Sequence, residues 1–328
     1  MHVIIPTAGF GARLRPHTYS FPKVLLNVAG KPILAHILDS LIAGGMTSTT
    51  IVIGYLGPAI VTFVRETYPK LPVNFVEQPE LLGLGHSIWV ARENIPSDGT
   101  PLFIMLGDTI IDVDFASVFA LPTSVIGVQV VPDPRRFGVA EVDTDGVITK
   151  LIEKPEHPTT NLAIAGLYLF RNPALLRSCL DELVEKNIRT KNEYQLTNAL
   201  QLMIQRGERF STFQVGNWYD CGKPETLLET NRHILDQQTE KNRSFERTII
   251  IEPCCISNTA EIENSVIGPH ASIGVGAKIR NAIIRDSIIG DGARVDGVVT
   301  EGSIIGNQAI VHGAFRRFNV GDASDIDC

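Results

Sequence analysis

No stretch of the 328 residues approaches the roughly 20 apolar positions that a membrane span needs. The N-terminus has no basic segment ahead of its short apolar run, Val3-Ile4-Ile5. No secretory signal is expected, and the predicted compartment is the cytosol. Cysteine is scarce: Cys179, Cys221, Cys254, Cys255 and Cys328 are five in number, scattered, and form no CxxC pair. That pattern excludes a disulfide framework or zinc site and suits reduced thiols. Positive charge is not in excess. Lys and Arg number 29 against 36 Asp and Glu, a formal net charge of −7. Sequence-independent nucleic-acid binding needs a basic surface, so neither nucleic acid nor membrane is an expected partner.

What is present is an ordinary globular composition, 44% hydrophobic and 20% charged, on a chain long enough for about two domains. Short β-rich runs alternate with helical patterns in the first part. Strands are predicted at Val3–Ile5, Thr50–Ile53, Val73–Val76 and Leu102–Leu106. Helices are predicted at Pro32–Ala43, Pro58–Thr67 and Leu84–Glu93. This βαβ alternation implies a doubly wound, mostly parallel, Rossmann-like sheet. Residues 124–170 read mostly as strands, and helices are predicted at Ala174–Lys186, Glu193–Gln205 and Glu225–Asp236. The charged stretch Gln237–Arg247 is taken as a boundary, which gives a first domain over residues 1–240.

The character then changes. Ile-Gly-x-x-Ala recurs from Ile267, Ile273, Ile289 and Ile305, and Ser-[Val/Ile]-Ile-Gly from Ser265, Ser287 and Ser303. Aliphatics at this spacing, followed by Gly and a small residue, suit a three-sided parallel β-solenoid with stacked aliphatics inside. The pattern resembles the hexapeptide repeat of left-handed β-helices. It implies a second domain over residues 248–315, of three or four coils, and a tail over 316–328. So short a solenoid is expected to be shielded by a neighbour, hence a homo-oligomer.

The most informative segment follows the first strand: Gly9-Phe10-Gly11-Ala12-Arg13-Leu14-Arg15-Pro16. Glycines there let backbone N–H groups approach phosphate, and Arg13 supplies a cation. It is not a dinucleotide fingerprint, since Leu14 stands where the third Gly belongs. Nor is there a Walker loop: Gly30-Lys31 is followed by Pro32, with Leu25 in place of the first Gly. Further on come Pro22-Lys23, then Leu106-Gly107-Asp108 closing an apolar strand, where α/β sheets bind ligands.

With these motifs, the first 240 residues resemble the sugar-1-phosphate nucleotidyltransferases, above all glucose-1-phosphate thymidylyltransferases with a C-terminal extension. The resemblance implies that Gly9 and Gly11 approach the nucleotide and that Arg13 and Lys23 bind its triphosphate, Lys23 stabilising charge at the attacked phosphorus. It implies that Asp108 and Asp220, the latter in Trp218-Tyr219-Asp220-Cys221-Gly222, hold Mg²⁺. Two carboxylates suffice for an ion that also takes phosphate oxygens and water. Gln78 is expected to read a base edge with Gly83 beside it. His86 is given a helix-start or supporting role rather than that of a base, because an attacking phosphate is already anionic. Gly138 and Glu153 are expected to hold sugar hydroxyls, Lys154 to neutralise the sugar phosphate, and Glu193 to join them. Asn198 replaces the family's usual Asp. The implied substrates are a nucleoside triphosphate, dTTP or UTP, and a sugar 1-phosphate such as glucose 1-phosphate. Three alternatives stay open: a uridylyltransferase, a non-catalytic sugar-nucleotide-binding subunit, and a bifunctional enzyme whose solenoid transfers acyl groups with His270 or His312.

Overall fold

The computed structural model describes residues 1–238 and 244–314. The predicted tail at 316–328 and part of the charged stretch lie outside the described residues. The chain divides into two compact units. One is Met1–Leu26 with Lys31–Leu227; the other is Asn27–Gly30 with the described residues from Leu228 on.

The elements of the N-terminal region run β1 (His2–Pro6), β2 (Asn27–Val28), β3 (Lys31–Pro32), α1 (Ile33–Ala43), β4 (Ser48–Ile53), α2 (Gly57–Thr67), β5 (Val73–Glu77), α3 (Leu84–Val90) and β6 (Leu102–Met105). Then come β7 (Thr109–Ile111), α4 (Phe115–Ala120), β8 (Ser124–Val130), β9 (Gly138–Val142), β10 (Ile148–Glu153), β11 (Leu162–Phe170), α5 (Pro173–Glu185), α6 (Leu196–Gln205), β12 (Phe210–Gln214), β13 (Trp218–Asp220) and α7 (Pro224–Asp236).

Nine strands form one mixed sheet, with the path β10-β9-β11-β6-β1-β4-β5 and β8 joining β11 to β12. The strands β6, β1, β4 and β5 are parallel, as the βαβ pattern predicts. From β11 outward the pairing to β6, β8 and β9 is antiparallel. Period-two alternation puts β6 side chains on both faces. Leu102 and Ile104 join the core with Ile88 of α3, Leu180 of α5 and Leu200 of α6. Phe103 points the other way, with its ring 5.9 Å from Phe115 and 5.1 Å from Phe119 of α4. Both faces are therefore apolar and covered, which is why the central strands read as continuous hydrophobic runs.

Three four-stranded parallel sheets make the second unit: β14 (Ile249–Ile250), β17 (Val266–Ile267), β20 (Ile283–Arg285) and β23 (Val299–Glu301); β15 (Cys254–Ile256), β18 (Ala271–Ile273), β21 (Ile288–Ile289) and β24 (Ile304–Ile305); β16 (Glu261–Glu263), β19 (Lys278–Arg280), β22 (Arg294–Asp296) and β25 (Ile310–His312). This is a parallel β-helix of four coils, of the hexapeptide-repeat, left-handed type. Ile267, Ile273, Ile279, Ile284 and Ile289 fill its interior, almost fully buried. The division between units falls within α7, not at the charged stretch. The cause is fully buried Asn231. Its side-chain oxygen accepts from the Ala29 N–H (2.9 Å) and the Ser272 hydroxyl (2.6 Å), and its amide donates to the His270 carbonyl (3.0 Å).

Candidate active site

The carboxyl ends of the parallel strands open into a cleft of about 380 Å³, the place where open α/β sheets bind ligands. β1 delivers Thr7, Ala8 and Gly9 to its wall, β5 leads to Gln78, and β6 leads to Leu106 and Asp108. Lys23, Gly83 and Glu193 complete the expected residues here. A second cavity of about 330 Å³ shares Leu84, Leu106, Asp108 and Glu193 with the first. Arg13, Gly138, Glu153, Lys154 and Asp220 line it. The structure thus brings eleven of the twelve expected site residues to two adjoining cavities that meet at Asp108. Gly11 lines neither. It adopts φ +62°, and a Cβ there would sit 3.0 Å from Lys23 Cβ and Thr18 Cγ2, so its place is in shaping the turn beneath Lys23.

At the meeting point, Lys23 Nζ donates to Asp108 Oδ2 at 2.5 Å. Lys23 is only 9% exposed, whereas the Asp108 side chain retains 35%. Burial alone pushes the Asp108 carboxyl up. The Lys23 charge and hydrogen bonds from Lys23 and Thr109 outweigh it and hold the carboxyl below its ordinary range. β13 pairs antiparallel with β7 and sets Asp220 opposite Thr109. The Cys221 N–H donates to the Asp108 carbonyl (3.1 Å), tying the two acidic segments together.

In the second cavity the Thr197 hydroxyl donates to Glu153 Oε2 (2.7 Å), and Lys154 Nζ lies 3.3 Å from Glu153 Oε1. Gln195 Nε2 donates to Glu193 Oε2 (2.7 Å). Burial, with Glu153 adding negative charge nearby, pushes the Tyr168 phenol up and keeps it neutral. Phe137 and Trp218 form an aromatic wall, centroids 4.8 Å apart. Asn198 is not among the residues that line the cavity, and its amide donates to the Thr190 hydroxyl (3.0 Å).

Several lining residues escaped sequence reasoning. Gln195 and Thr197 follow Glu193 closely in the chain; Gln195 bonds Glu193 itself, whereas Thr197 acts on Glu153, a carboxylate that only the fold brings near. Gly222, which lines neither cavity, was visible beside Asp220: a Cβ there would lie 2.7 Å from both Arg13 Nη2 and Asp220 Oδ1. Ser87 gave no signal. It is 4% exposed, lines the first cavity, and its hydroxyl has no hydrogen-bond partner among the described residues.

Fold and site together define an α/β protein with a two-part cleft at the carboxyl ends of its parallel strands. Residues 2–237 match the model of the nucleotidyl transferase family, and the chain belongs to that family. It is similar to a glucose-1-phosphate thymidylyltransferase of Streptomyces griseus, 34% identical over 295 residues, covering 87% of this chain and 81% of the relative. A low-salt glycan biosynthesis nucleotidyltransferase of Haloferax volcanii is 29% identical, over 88% of this chain and 87% of its own. A UTP–glucose-1-phosphate uridylyltransferase of the same organism is 32% identical, over 73% and 99%. Among solved structures, a UDP-glucose pyrophosphorylase complexed with UDP-glucose superposes with a TM-score of 0.59 at 25% identity, covering 72% of this chain and 99% of that one.

Proposed function

We propose that the chain transfers a nucleotidyl group from a pyrimidine nucleoside triphosphate to a sugar 1-phosphate. dTTP with glucose 1-phosphate is the first choice of pair, and UTP is the second nucleotide, since relatives of both kinds are similar to it. The observation that carries the reading is the pair of cavities joined at Asp108. One is lined by the phosphate-loop residues with Gln78 and Gly83, the other by Glu153, Lys154 and Glu193.

In this reading the first cavity holds the triphosphate, with Gly9 N–H and Lys23 against its oxygens. The second holds the sugar, with Glu153 and Glu193 accepting from its hydroxyls and Lys154 facing its phosphate. An oxygen of the sugar phosphate attacks the α-phosphorus in line. The bond from the α-phosphorus to the α,β-bridging oxygen breaks, and pyrophosphate departs with the electron pair. The nucleophile is already anionic, so no side chain need remove a proton. Catalysis is then positioning and charge stabilisation, supplied by Lys23 and Arg13.

Asp108 and Asp220 fit a hard divalent ion, and we assign them Mg²⁺. Asp108 lies in the turn just before β7 and Asp220 ends β13, which pairs with β7, so both carboxylates belong to one locality; no cluster of three or more His, Cys, Asp or Glu occurs among the described residues. Magnesium characteristically takes one or two carboxylates, with phosphate oxygens and water completing its shell. Bound there, it would neutralise phosphate charge during transfer. The cytosol is the setting this reading implies, and no described helix is long and apolar enough to cross a membrane.

The test is pyrophosphate release across five nucleoside triphosphates and several sugar 1-phosphates, with and without a chelator. The expected result is sugar-phosphate-dependent release, highest with dTTP or UTP and glucose 1-phosphate and abolished by chelation. No release with any pair would make the chain a binding subunit.

A further inference from the structure

His86 lies in α3, next to the base-reading end of the first cavity. It is 8% exposed, and its ring stacks between Trp89 (5.6 Å, 26°) and Tyr194 (6.1 Å, 27°). Its partner is Gln78, whose side chain is buried against protein yet lines the cavity. Gln78 Nε2 lies 3.2 Å from the Gly83 carbonyl and 3.0 Å from His86 Nδ1.

These two contacts determine which end of the Gln78 amide faces the ligand. A backbone carbonyl can only accept, so the amide atom against Gly83 is the NH₂ group. Its second proton then goes to His86 Nδ1, which must be the unprotonated ring nitrogen. The groups facing the imidazole agree. Burial lowers its basicity, Glu80 opposes this through its charge and a hydrogen bond at its backbone carbonyl, and Arg189 lowers it further. The net direction is below the ordinary histidine value, so the ring is neutral near pH 7. Gly83 is itself closely packed. At φ +105° a Cβ would lie 2.7 Å from the Tyr194 carbonyl, and the Gly85 N–H donates to that same oxygen (2.7 Å).

We propose that His86 is a positioning residue for nucleobase selection: it and Gly83 take both amide protons of Gln78, so only the amide oxygen is offered to the base. The inference rests on the nucleotidyl transfer proposed above and names what its nucleotide must carry. The base must present an N–H donor on its pairing edge, as uracil and thymine do at N3. Cytosine has an acceptor at N3 and meets the amide oxygen with like polarity. Without the His86 acceptor, the amide is held by Gly83 alone and can turn its NH₂ toward the cavity. His86 therefore acts through Gln78 and does not touch the nucleotide.

The test measures kcat/KM on the full chain for UTP, CTP and 3-methyluridine triphosphate, in which a methyl replaces the N3 proton. His86→Phe keeps an aromatic ring between Trp89 and Tyr194 and removes the acceptor. His86→Gln keeps an acceptor and removes the ring. The wild-type protein is expected to favour UTP over both analogues by on the order of a hundredfold or more. His86→Phe should narrow the UTP/CTP ratio about tenfold, through KM for the nucleotide with kcat little changed, and His86→Gln should retain most of the ratio. An unchanged ratio in His86→Phe overturns the proposal, as does equal narrowing in both variants, which would make His86 a packing residue. Equal use of UTP and the 3-methyl analogue by the wild-type protein overturns it without any variant. No pyrophosphate release by the wild-type protein with any nucleotide overturns the transfer reaction itself, and this inference with it.

Discussion

Lys23 and Asp108 form one electrostatic unit, and their variants should not behave alike. Lys23 is almost fully buried and its ammonium rests on the Asp108 carboxylate. Asp220 has no such buried partner among the ion pairs of the described residues. Asp108→Asn and Asp220→Asn each remove a negative charge proposed to hold Mg²⁺, and each should lower turnover by on the order of 10²-fold or more. Asp108→Asn also leaves the Lys23 ammonium without its counter-charge, at about 1 kcal/mol of stability. Its melting temperature should fall while that of Asp220→Asn stays near wild type. Turnover at ordinary Mg²⁺ and thermal melting of both proteins check this, and near-normal activity in either removes that residue from the metal site. Lys23→Ala should lower kcat about 10²-fold with a smaller change in KM for the sugar phosphate, because its charge serves the transition state. A change confined to KM would limit Lys23 to substrate binding.

Elements were legible where one physical cause sufficed. The parallel strands follow from apolar runs buried on both faces, and the β-helix from an aliphatic repeat that only stacked coils can bury. Asp108 could be anticipated because it follows one of those strands at its carboxyl end. The start of α6 could not. Residues from Glu193 suit a helix by propensity, yet the helix begins at Leu196, after Gln195 in an extended conformation. The Tyr194 N–H donates to the Leu82 carbonyl and the Tyr194 carbonyl accepts from Gly85, bonds to a segment more than a hundred residues away. Those bonds hold Glu193 in the approach to α6, where it reaches both cavities. The support of Glu153 by Thr197 was hidden for the same reason, since 44 residues separate them. Thr197→Val keeps the shape and removes the hydroxyl donor. It should raise KM for the sugar phosphate about tenfold with kcat little changed. Unchanged steady-state kinetics in this variant would take the Thr197–Glu153 bond out of sugar recognition.

At the scale of the whole molecule, the β-helix unit draws its material from three places in the sequence: Asn27–Gly30, the end of α7, and the repeats. Asn231 joins all three through Ala29, its own helix, and Ser272 with His270. Arg232 adds a pair to Asp286 at 2.6 Å. Asn231→Leu leaves those buried groups unpartnered, and about 2 kcal/mol or more of stability should be lost, read as a lower melting temperature. Ending the chain after residue 245 removes Ser272, His270 and Asp286 together, so it should destabilise what remains more than the single substitution does. Every residue lining the two cavities precedes Leu228, so the shortened chain should still release pyrophosphate at a temperature where it is folded. The first and last coils also expose apolar side chains, Ile249 at 62%, Val299 at 77% and Ile310 at 60%. Open coil ends of this kind are shielded most readily by another subunit, and we propose that the β-helix mediates self-association. Light scattering after size exclusion should then give a smaller mass per particle for the shortened chain, measured beside turnover and melting. An unchanged particle mass would place any assembly surface in the first unit. A folded but wholly inactive product would show instead that the repeats sustain the geometry at Asp108.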